Sequence, residues 1–389
     1  MAQHDLTHAP PPVRSGVSAA HRHLAVLLAS ADVRLDGQRP WDLQLLGEGV
    51  PERVLAHGNL ELGETYMDGL WTCQHLDQLF DRLLRADMAS RVRSLSTAWH
   101  HLRARWLNLQ TEHRAWQVGH QHYDLGNAFY SAMLDRRMTY TCALWEGARD
   151  LDEAQENKLE LVCQKLGLQP GMHVLDIGCG WGSFMKYASE RHGVRCTGVT
   201  ISAEQAALGR QLCEGLPVTF RLMDYRGLSE RFDRIVSLGM FEHVGQKNYD
   251  TYMTVAKRCL APDGLFMLHT IGRNEPGHGT DPWIHKYIFP NGELPTIAQI
   301  GHACERRFVV EDLHNFGADY DRTLMAWHQR FEDAWPRFAE QLGERFHRMW
   351  RYYLLSCAGA FRARDVQLWQ WVLSHPGRAG VYRRVSAPR

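Results

Sequence analysis

Several features that mark other protein classes are missing from this chain of 389 residues. No stretch approaches the roughly 18 consecutive apolar residues of a membrane-spanning helix. The first residues combine neither a basic leader nor an apolar core. The formal net charge is zero, with 44 basic and 44 acidic residues, so no overall field would draw the chain to nucleic acid. We therefore expect a cytoplasmic, globular protein that binds no nucleic acid, and any attraction to a membrane must be local.

Cysteine pairs at short spacing are also missing. The nine cysteines are scattered singly from Cys73 to Cys357 with no Cys-x-x-Cys pattern, which argues against a disulfide framework and for a reducing compartment. Two short histidine pairs, His21 with His23 and His120 with His122, have no second ligand cluster beside them. We therefore predict no metal site.

A glycine-rich turn after a short apolar strand is the most informative feature that is present. The run from Val174 to Gly182 reads as a buried strand that breaks into Gly178, Gly180 and Gly182, a pattern that lets the backbone pass close under a nucleotide-type ligand. The spacing differs from the dinucleotide fingerprint, and the next strand ends without the acid that binds a ribose in nicotinamide enzymes. The pattern indicates a cofactor site and disfavours a nicotinamide cofactor.

Helical and strand patterns alternate after this turn. We predict helices over 184–192, 203–214 and 249–260, strands over 196–200, 218–222, 234–238 and 265–268, and a turn at 261–264. This alternation is typical of a mostly parallel sheet with helices on both faces, in which ligands bind beyond the carboxyl ends of the strands. One crevice can therefore collect the polar residues at these ends, namely Asp176, Thr200, Asp224, Glu242 and His269.

Further motifs, in order along the chain, make a family resemblance specific. They are Tyr123–Asn127, Tyr140–Trp145, Thr200–Gln205, Asp224–Arg226, Met240–Gly245, Leu268–Gly272 and His314–Tyr320, with Pro40–Asp42 and Leu62–Gly69 upstream. Together with the glycine turn they resemble the cyclopropane-fatty-acyl-phospholipid synthases. The likeness extends over nearly all of the chain after the first residues.

The resemblance implies a fold and a division into domains. It implies an α/β, class I methyltransferase-like (Rossmann-type) fold, with a mostly parallel seven-stranded sheet, helices on both faces and a smaller, mainly helical amino-terminal domain. We expect a disordered tail over 1–20, because Pro10 to Pro12 stiffen a segment with little to bury. An amino-terminal module for lipid docking and dimerisation is expected over 21–118, and a catalytic domain dependent on S-adenosylmethionine over 119–389. A homodimer is implied as well.

The segment around residues 91–116 has two interpretations. Large apolar side chains recur on one helical face at Leu95, Trp99, Leu102, Trp106 and Leu109. Seven arginines lie between residues 82 and 114 against two acids, so this region, aided by Arg362 and Arg364, could dock on the inner face of a membrane. The alternative is a core seam with solvated arginines, and the sequence leaves both open.

The resemblance implies an uncommon methyl transfer. S-adenosylmethionine would give a methylene unit to the cis double bond of unsaturated acyl chains in membrane phospholipids, forming a cyclopropane ring. Because the added methyl must lose a proton, the family uses a bound bicarbonate as the acceptor, in a pocket that excludes water. Three alternatives stay open: a lipid C-methyltransferase giving methyl or methylene branches, a small-molecule N-methyltransferase of the same fold, and a lipid-binding protein without activity.

Residues are assigned to the site by matching the family's motifs. In the catalytic set, the bicarbonate would be held by backbone groups of Cys142 and Ile271 and by the side chains of Glu242, His269 and Tyr320. Cys357 is expected beside the site, as a small buried residue and not as a nucleophile. The predicted cofactor-binding residues are Tyr140, Thr141, Asp176, Gly178, Cys179, Gly180, Trp181, Gly182, Thr200, Ser202, Gln205, Asp224, Tyr225 and Arg226. Tyr140, Trp181 and Phe241 are candidates for an aromatic face against the sulfonium.

Overall fold

The amino-terminal part is mainly helical. The structure, a computed structural model, describes residues 18–88, 126–277 and 280–387. Four helices and a two-stranded antiparallel ribbon come first: α1 (Ala19–Ala29), β1 (Gln44–Leu45), α2 (Val50–His57), α3 (Asn59–Met67), β2 (Trp71–Thr72) and α4 (Leu76–Arg85). The Ser18 side chain accepts a hydrogen bond from the backbone of His21 and caps α1. The prediction of disorder through residue 20 is therefore wrong at its end, because the helix begins at Ala19.

A seven-stranded sheet forms the centre of the rest of the chain. Its strands are β3 (His173–Ile177), β4 (Arg195–Thr200), β5 (Val218–Leu222), β6 (Phe232–Leu238), β7 (Leu260–Arg273), β8 (Val309–Asn315) and β9 (Val366–Ser374). They lie in the order β5-β4-β3-β6-β7-β9-β8. The first five in this order are parallel, and β9 is antiparallel to both of its neighbours. The predicted mostly parallel, seven-stranded α/β fold is confirmed.

Helices connect these strands and cover the sheet. They are α5 (Asn127–Met133), α6 (Leu151–Leu166), α7 (Ser183–His192), α8 (Ala203–Leu212), α9 (Tyr249–Cys259), α10 (Pro282–Tyr287), α11 (Ile297–Cys304), α12 (Ala318–Ala334) and α13 (Ala339–Arg362). Single 3-10 turns lie at Tyr225–Gly227, Phe241–His243, Gln246–Asn248 and Trp335–Arg337. The ends of α6 show the local chemistry: Asp150 caps its first turn, and Gly167 ends it in the left-handed conformation.

The predicted elements match the structure except at a few ends. The strand over 218–222 has the predicted bounds, and the helix predicted to reach residue 214 ends at Leu212. The predicted turn at 261–264 is a bulge inside β7. Phe232 pairs with Leu260, and Arg234 pairs with Leu265, so four residues of β7 lie opposite one residue of β6. Such a bulge keeps the strand in the sheet while it changes direction.

The amino-terminal helices share a hydrophobic core with the helices α12 and α13. Helix α4 packs on α13 at Gly359, where an added Cβ would lie 2.7 Å from the carbonyl oxygen of Asp77. Arg362 joins the two helices, since it donates to Asp77 at 2.5 Å and to Asp321 at 2.9 Å. The predicted domain division stays a prediction, because its boundary and the segment 91–116 lie outside the described residues.

None of the helices in the described ranges is long and apolar enough to cross a membrane.

Two further hydrophobic clusters cover the two faces of the sheet. The carboxyl ends of β3, β4, β6 and β7 are left between these layers and the shared core. A large cavity opens there.

Candidate active site

The cavity has a volume of about 690 Å³, which is within the usual range for small-molecule sites. It lies beyond the carboxyl ends of the parallel strands, as expected for this fold. All the residues predicted to contact the cofactor, except Gly182, line it. They are Tyr140, Thr141, Asp176, Gly178, Cys179, Gly180, Trp181, Thr200, Ser202, Gln205, Asp224, Tyr225 and Arg226.

The glycine turn forms the floor of this cavity. Gly178 has φ +85°, and a Cβ there would lie 2.6 Å from the Met240 side chain, so both conformation and space require glycine. Gly180 has φ +53°, and no protein atom lies within 4 Å of where its Cβ would be. Its backbone is therefore open to a ligand. Gly182 packs under Phe220, 2.5 Å from its would-be Cβ, and does not line the cavity, so its contact with the cofactor stays a prediction.

The end of β4 supplies hydroxyl and amide groups in place of an acid. The hydroxyl of Thr200 accepts a hydrogen bond from the Ser202 backbone at 3.1 Å and lies 3.4 Å from the amide oxygen of Gln205. Ser202 caps α8 through the backbone N–H of Gln205. All three side chains are buried, whereas Glu204, the less favoured candidate, is exposed and does not line the cavity.

The end of β5 carries the next side of the cavity. Asp224 accepts from the backbone N–H of Arg226 at 2.9 Å and forms an ion pair with its guanidinium at 2.8 Å. The same guanidinium lies 5.0 Å from the centre of the Tyr225 ring. These contacts fix the three residues as one rigid edge of the wall.

Two of the three aromatic candidates for the sulfonium line the cavity. The hydroxyls of Tyr140 and Tyr353 are 2.9 Å apart, and the Trp181 indole N–H donates to Asn127 at 2.8 Å. Phe241 is fully buried and stacks on Tyr249 with ring centres 4.4 Å apart. With this packing Phe241 does not line the cavity, and its contact with the sulfonium stays a prediction.

Glu242 lines the cavity from the short turn after β6. One carboxylate oxygen accepts the backbone N–H of Ile271 at 2.7 Å, and the other is buried without a partner among the described residues. Burial raises the pKa of Glu242 to about 7 and outweighs the hydrogen bond from Ile271, which lowers it. The group can therefore carry or release a proton near neutral pH.

Three more predicted catalytic residues, Ile271, Tyr320 and Cys357, line the cavity near Glu242. Burial, together with the nearness of Cys142 and Glu242, raises the pKa of Tyr320 well above its usual value. Burial also raises the pKa of the Cys357 thiol to about 12. A thiol that stays protonated is a poor nucleophile, which agrees with the expectation that Cys357 only borders the site.

Cys142 and His269 are not among the residues that line the cavity. The Cys142 thiol is fully buried and lies 3.2 Å from the carbonyl oxygen of Ala143. His269 Nδ1 lies 3.3 Å from the Gln370 amide, while Nε2 is buried without a partner among the described residues. Burial holds the pKa of His269 well below its usual value, so the ring is neutral. Ile271 is expected to act through its backbone groups, and its N–H donates to Glu242.

Asp176 at the end of β3 is the second buried carboxyl of the cavity. One of its oxygens has no partner in the described part of the chain. Burial raises the pKa of Asp176 to about 7, although the nearby Lys158 acts to lower it.

Sequence reasoning missed Lys158. It is fully buried on α6, and its ammonium donates to the Thr141 hydroxyl at 2.7 Å. The available signal was its position: Lys158 stands at helical spacing with Ala154 and Leu161 on a buried face of α6 that also carries Gln155.

The far end of the cavity is apolar and is built by the amino-terminal helices. Its walls there consist of Leu24, Leu28, Leu43, Val54, Phe80, Leu83 and Met88. One polar group marks the junction: Asn59 donates to Asp281 at 2.8 Å and accepts from the Tyr352 hydroxyl at 2.8 Å. Asn59 was not predicted, because its partners lie more than 200 residues away.

Few of the arginines suggested for membrane docking fall in the described residues. Arg82 lies 3.9 Å from the centre of the Trp41 ring, and Arg85 donates to Asp81 and to the backbone of Arg362. Arg362 itself is paired with Asp77 and Asp321, and its suggested part in docking stays a prediction. The other arginines up to residue 114 lie outside the described ranges.

Comparisons with known proteins agree with this geometry. A family model described as mycolic acid cyclopropane synthetase matches residues 110–371. The chain is 53% identical over 362 residues to the cyclopropane-fatty-acyl-phospholipid synthase of Escherichia coli strain K12, covering 91% of this chain and 93% of that protein.

Two solved structures of this family resemble the fold. The cyclopropane synthase MmaA2 from Mycobacterium tuberculosis has 31% identity and a TM-score of 0.63, covering 69% of this chain and 99% of that one. Mycolic acid cyclopropane synthase CmaA1, complexed with SAH and CTAB, has 32% identity and a TM-score of 0.62, covering 66% and 97%. The chain therefore belongs to the mycolic acid cyclopropane synthetase family, whose members are S-adenosylmethionine-dependent methyltransferases.

Proposed function

We propose that this enzyme transfers a methylene unit from S-adenosylmethionine to the cis double bond of unsaturated acyl chains in membrane phospholipids, forming a cyclopropane ring. The observation that carries the proposal is the cavity itself. One continuous space joins the glycine turn, the buried carboxyl of Glu242 and a hydrocarbon wall from the amino-terminal helices. A small soluble amine would bury little surface against that wall, whereas an acyl chain would gain binding free energy there by burying apolar surface along its whole length.

The residues around the glycine turn would hold the co-substrate. Gly178 and Gly180 let the backbone approach it closely, Thr200 and Gln205 offer groups for ribose hydroxyls, and Asp224 borders the base. Tyr140 and Trp181 offer aromatic faces to a cationic sulfur. Because these groups belong to different strand ends, the sheet fixes their spacing before any ligand binds.

The residues near Glu242 fit a bound bicarbonate. Glu242 has a buried carboxylate oxygen and His269 a buried ring nitrogen, and neither atom has a partner in the described residues. Buried polar atoms in proteins nearly always have partners. Bicarbonate offers both an O–H donor and acceptor oxygens, so it could satisfy both. Tyr320 would complete the set, with Cys142 nearby.

When bound, S-adenosylmethionine supplies the methyl group and bicarbonate accepts the proton whose loss closes the ring. The chain's own residues position the reactants and exclude water. Ile271 fixes one oxygen of Glu242, which leaves the other facing the site with a pKa of about 7. The rings of Tyr320 and Phe361 pack with centres 4.5 Å apart and close the wall near the reacting carbons. A dry wall protects a developing cation from capture by water.

Placement in the cell follows from the substrate. The alkene lies in a bilayer while the co-substrate is water-soluble, so the enzyme would act as a cytoplasmic protein bound peripherally to the inner face of the membrane. The docking surface and a homodimer would both involve the amino-terminal module, including residues outside the described ranges.

The direct test is a product assay. The purified enzyme, S-adenosylmethionine and vesicles of phospholipid with one cis double bond per chain should yield lipid heavier by one methylene unit and resistant to hydrogenation as an alkene. Vesicles of saturated phospholipid are the matched control and should yield nothing. A heavier product that still contains an alkene would replace cyclopropanation with methylenation. Methyl transfer only to soluble amines would overturn the lipid proposal.

A further inference from the structure

Helix α6 presents two polar side chains to the segment that forms one wall of the cavity. Gln155 and Lys158 are three residues apart and therefore lie on one face, and both are fully buried. The Gln155 amide donates to the carbonyl oxygen of Thr141 at 2.8 Å. Lys158 donates to the Thr141 hydroxyl at 2.7 Å. Helix α6 thus holds Thr141 by two groups, from below the cavity.

The contact with Thr141 requires only a hydrogen-bond donor, whereas Lys158 also places a positive charge in the interior. Fully buried lysines are rare unless an acid compensates the charge. The acids near Lys158 are Asp135 and Asp176, but neither forms an ion pair with it within the described residues. Asp135 is engaged by the backbone N–H groups of Thr139 and Arg137. Asp176 keeps an oxygen without a partner and lines the cavity.

We propose that Lys158 is a positioning residue for the co-substrate: it fixes the wall of the cavity through Thr141, and its buried charge acts on Asp176, whose cavity-lining carboxyl would contact a cationic ligand. The inference rests on the proposed use of S-adenosylmethionine, which carries a sulfonium and an ammonium group. It does not rest on the lipid or on bicarbonate.

The charges around Asp176 support this role. Burial raises its pKa to about 7, and Lys158 is the one charged group among the described residues that lowers it. The other ionisable groups facing Asp176 are Cys179 after β3, Cys196 on β4 and Tyr252 on α9. Burial raises the pKa of each of them, so they stay neutral between pH 6 and 9. Burial lowers the pKa of Lys158 to about 8, so it is mainly a cation at neutral pH.

Lys165 on the same helix provides a matched control. It is also fully buried, but it lies about two helical turns further along and does not line the cavity. Its ammonium has Asp312 at 3.2 Å and His314 at 3.2 Å. Lys158→Met and Lys165→Met therefore remove the same buried charge from one helix. A merely structural role would make the two variants alike.

The experiment is calorimetric titration of S-adenosylmethionine, without lipid, from about pH 6 to pH 9. Without Lys158 the pKa of Asp176 rises, and each unit of rise lowers the ionised fraction about tenfold at acidic pH. Lys158→Met should therefore weaken binding about tenfold near pH 6.5 and recover as the pH rises. Lys165→Met should lower the melting temperature and leave the pH profile of binding unchanged.

Two further variants separate the parts of the proposal and guard against misfolding. Thr141→Val should weaken binding by the same factor at every pH, because it removes only the hydroxyl. Asp176→Asn should bind weakly, and adding Lys158→Met to it should not change the pH profile of binding further. Parallel profiles for Lys158→Met and the unchanged enzyme, or a further change of the profile when Lys158→Met is added to Asp176→Asn, would overturn the inference. If the unchanged enzyme itself failed to bind S-adenosylmethionine, the proposed function would fail instead.

Discussion

At the sheet edge the wall of the cavity carries the buried carboxyls of Asp176 and Glu242, and each has one oxygen without a partner in the part of the chain that the structure describes. At the amino-terminal end, by contrast, the wall is hydrocarbon. The polar end is built from strand ends whose positions the sheet fixes. The apolar end is built from short helices that pack on α13. The two ends therefore hold a ligand by different means: the first by placed charges and hydrogen bonds, the second by burial of surface.

Because of this difference, the polar end should govern turnover and co-substrate binding, and the apolar end should govern lipid binding. Hydrogen bonds and charges depend on geometry to within a few tenths of an ångström, so a change at the polar end should affect turnover or co-substrate binding steeply. Burial is proportional to area and has little directional demand. A change at the apolar end should alter lipid binding gradually, and it should leave co-substrate binding alone.

The largest effect should come from the polar end. Glu242→Gln keeps an oxygen that can accept from Ile271 but loses the titrating carboxyl. We expect turnover to fall by about 100- to 10,000-fold, the usual contribution of a general acid or base, with an unchanged dissociation constant for S-adenosylmethionine. Glu293→Gln is the control, because Glu293 accepts a neighbouring backbone N–H but does not line the cavity. A loss of co-substrate binding in Glu242→Gln would contradict this separation.

The buried carboxyls of Asp176 and Glu242 should lower the free energy of unfolding at neutral pH. Their pKa values of about 7 lie above those of the unfolded chain, so the folded protein holds protons that the unfolded chain has released. Stability should therefore fall as the pH rises from about 4 to 7, by on the order of 3 kcal/mol for each group. Asp176→Asn and Glu242→Gln should each raise the melting temperature at pH 8 and change it little at pH 4.

Thermal unfolding in the absence of ligand measures this effect. The apolar end supplies the comparison, since Leu28→Ala removes no ionisable group and should destabilise equally at both pH values. Destabilisation of the two amide variants at pH 8 would show that their charges are satisfied in the folded protein.

A smaller effect should come from the apolar end. Leu28→Gln places an amide in the hydrocarbon wall, where an unpaired polar group costs about 1–3 kcal/mol. We expect the KM for unsaturated phospholipid vesicles to rise about tenfold, which corresponds to about 1.4 kcal/mol, with co-substrate affinity unchanged. Val26→Gln on the same helix is the control, because Val26 is 72% exposed. Equal effects of the two substitutions would indicate that Leu28 does not contact the acyl chain.

The polar end was largely predictable from the sequence because its residues belong to local patterns. A strand followed by Gly178 and Gly180, and Glu242 just after another strand, can be located without knowing the tertiary structure. Two predicted residues there, Gly182 and Phe241, do not line the cavity, and both for one reason. Each belongs to the expected motif, but the side of the loop that faces the cavity depends on packing against Phe220 and Tyr249.

The apolar end was not predictable in detail. Its walls come from helices whose partners lie far away in the sequence, as the bond between Asn59 and Asp281 shows. The same holds for β9, which inserts between β7 and β8 although its partners in β7 precede it by about 100 residues. Lys158 was missed because only the fold shows that its helical face is turned to Thr141. Local periodicity carries no information on such pairings.

The core shared by the first four helices and α13 has a consequence for the order of events during synthesis. Arg362 and Asp77, which form an ion pair across this core, are 285 residues apart. At about 5–20 residues per second, the first helices would leave the ribosome roughly 15 to 60 s before their partner exists. During that interval, the leucine and phenylalanine side chains that later line the cavity have nothing to pack against. The newly made amino-terminal segment should therefore be a preferred client of chaperones that bind exposed hydrocarbon.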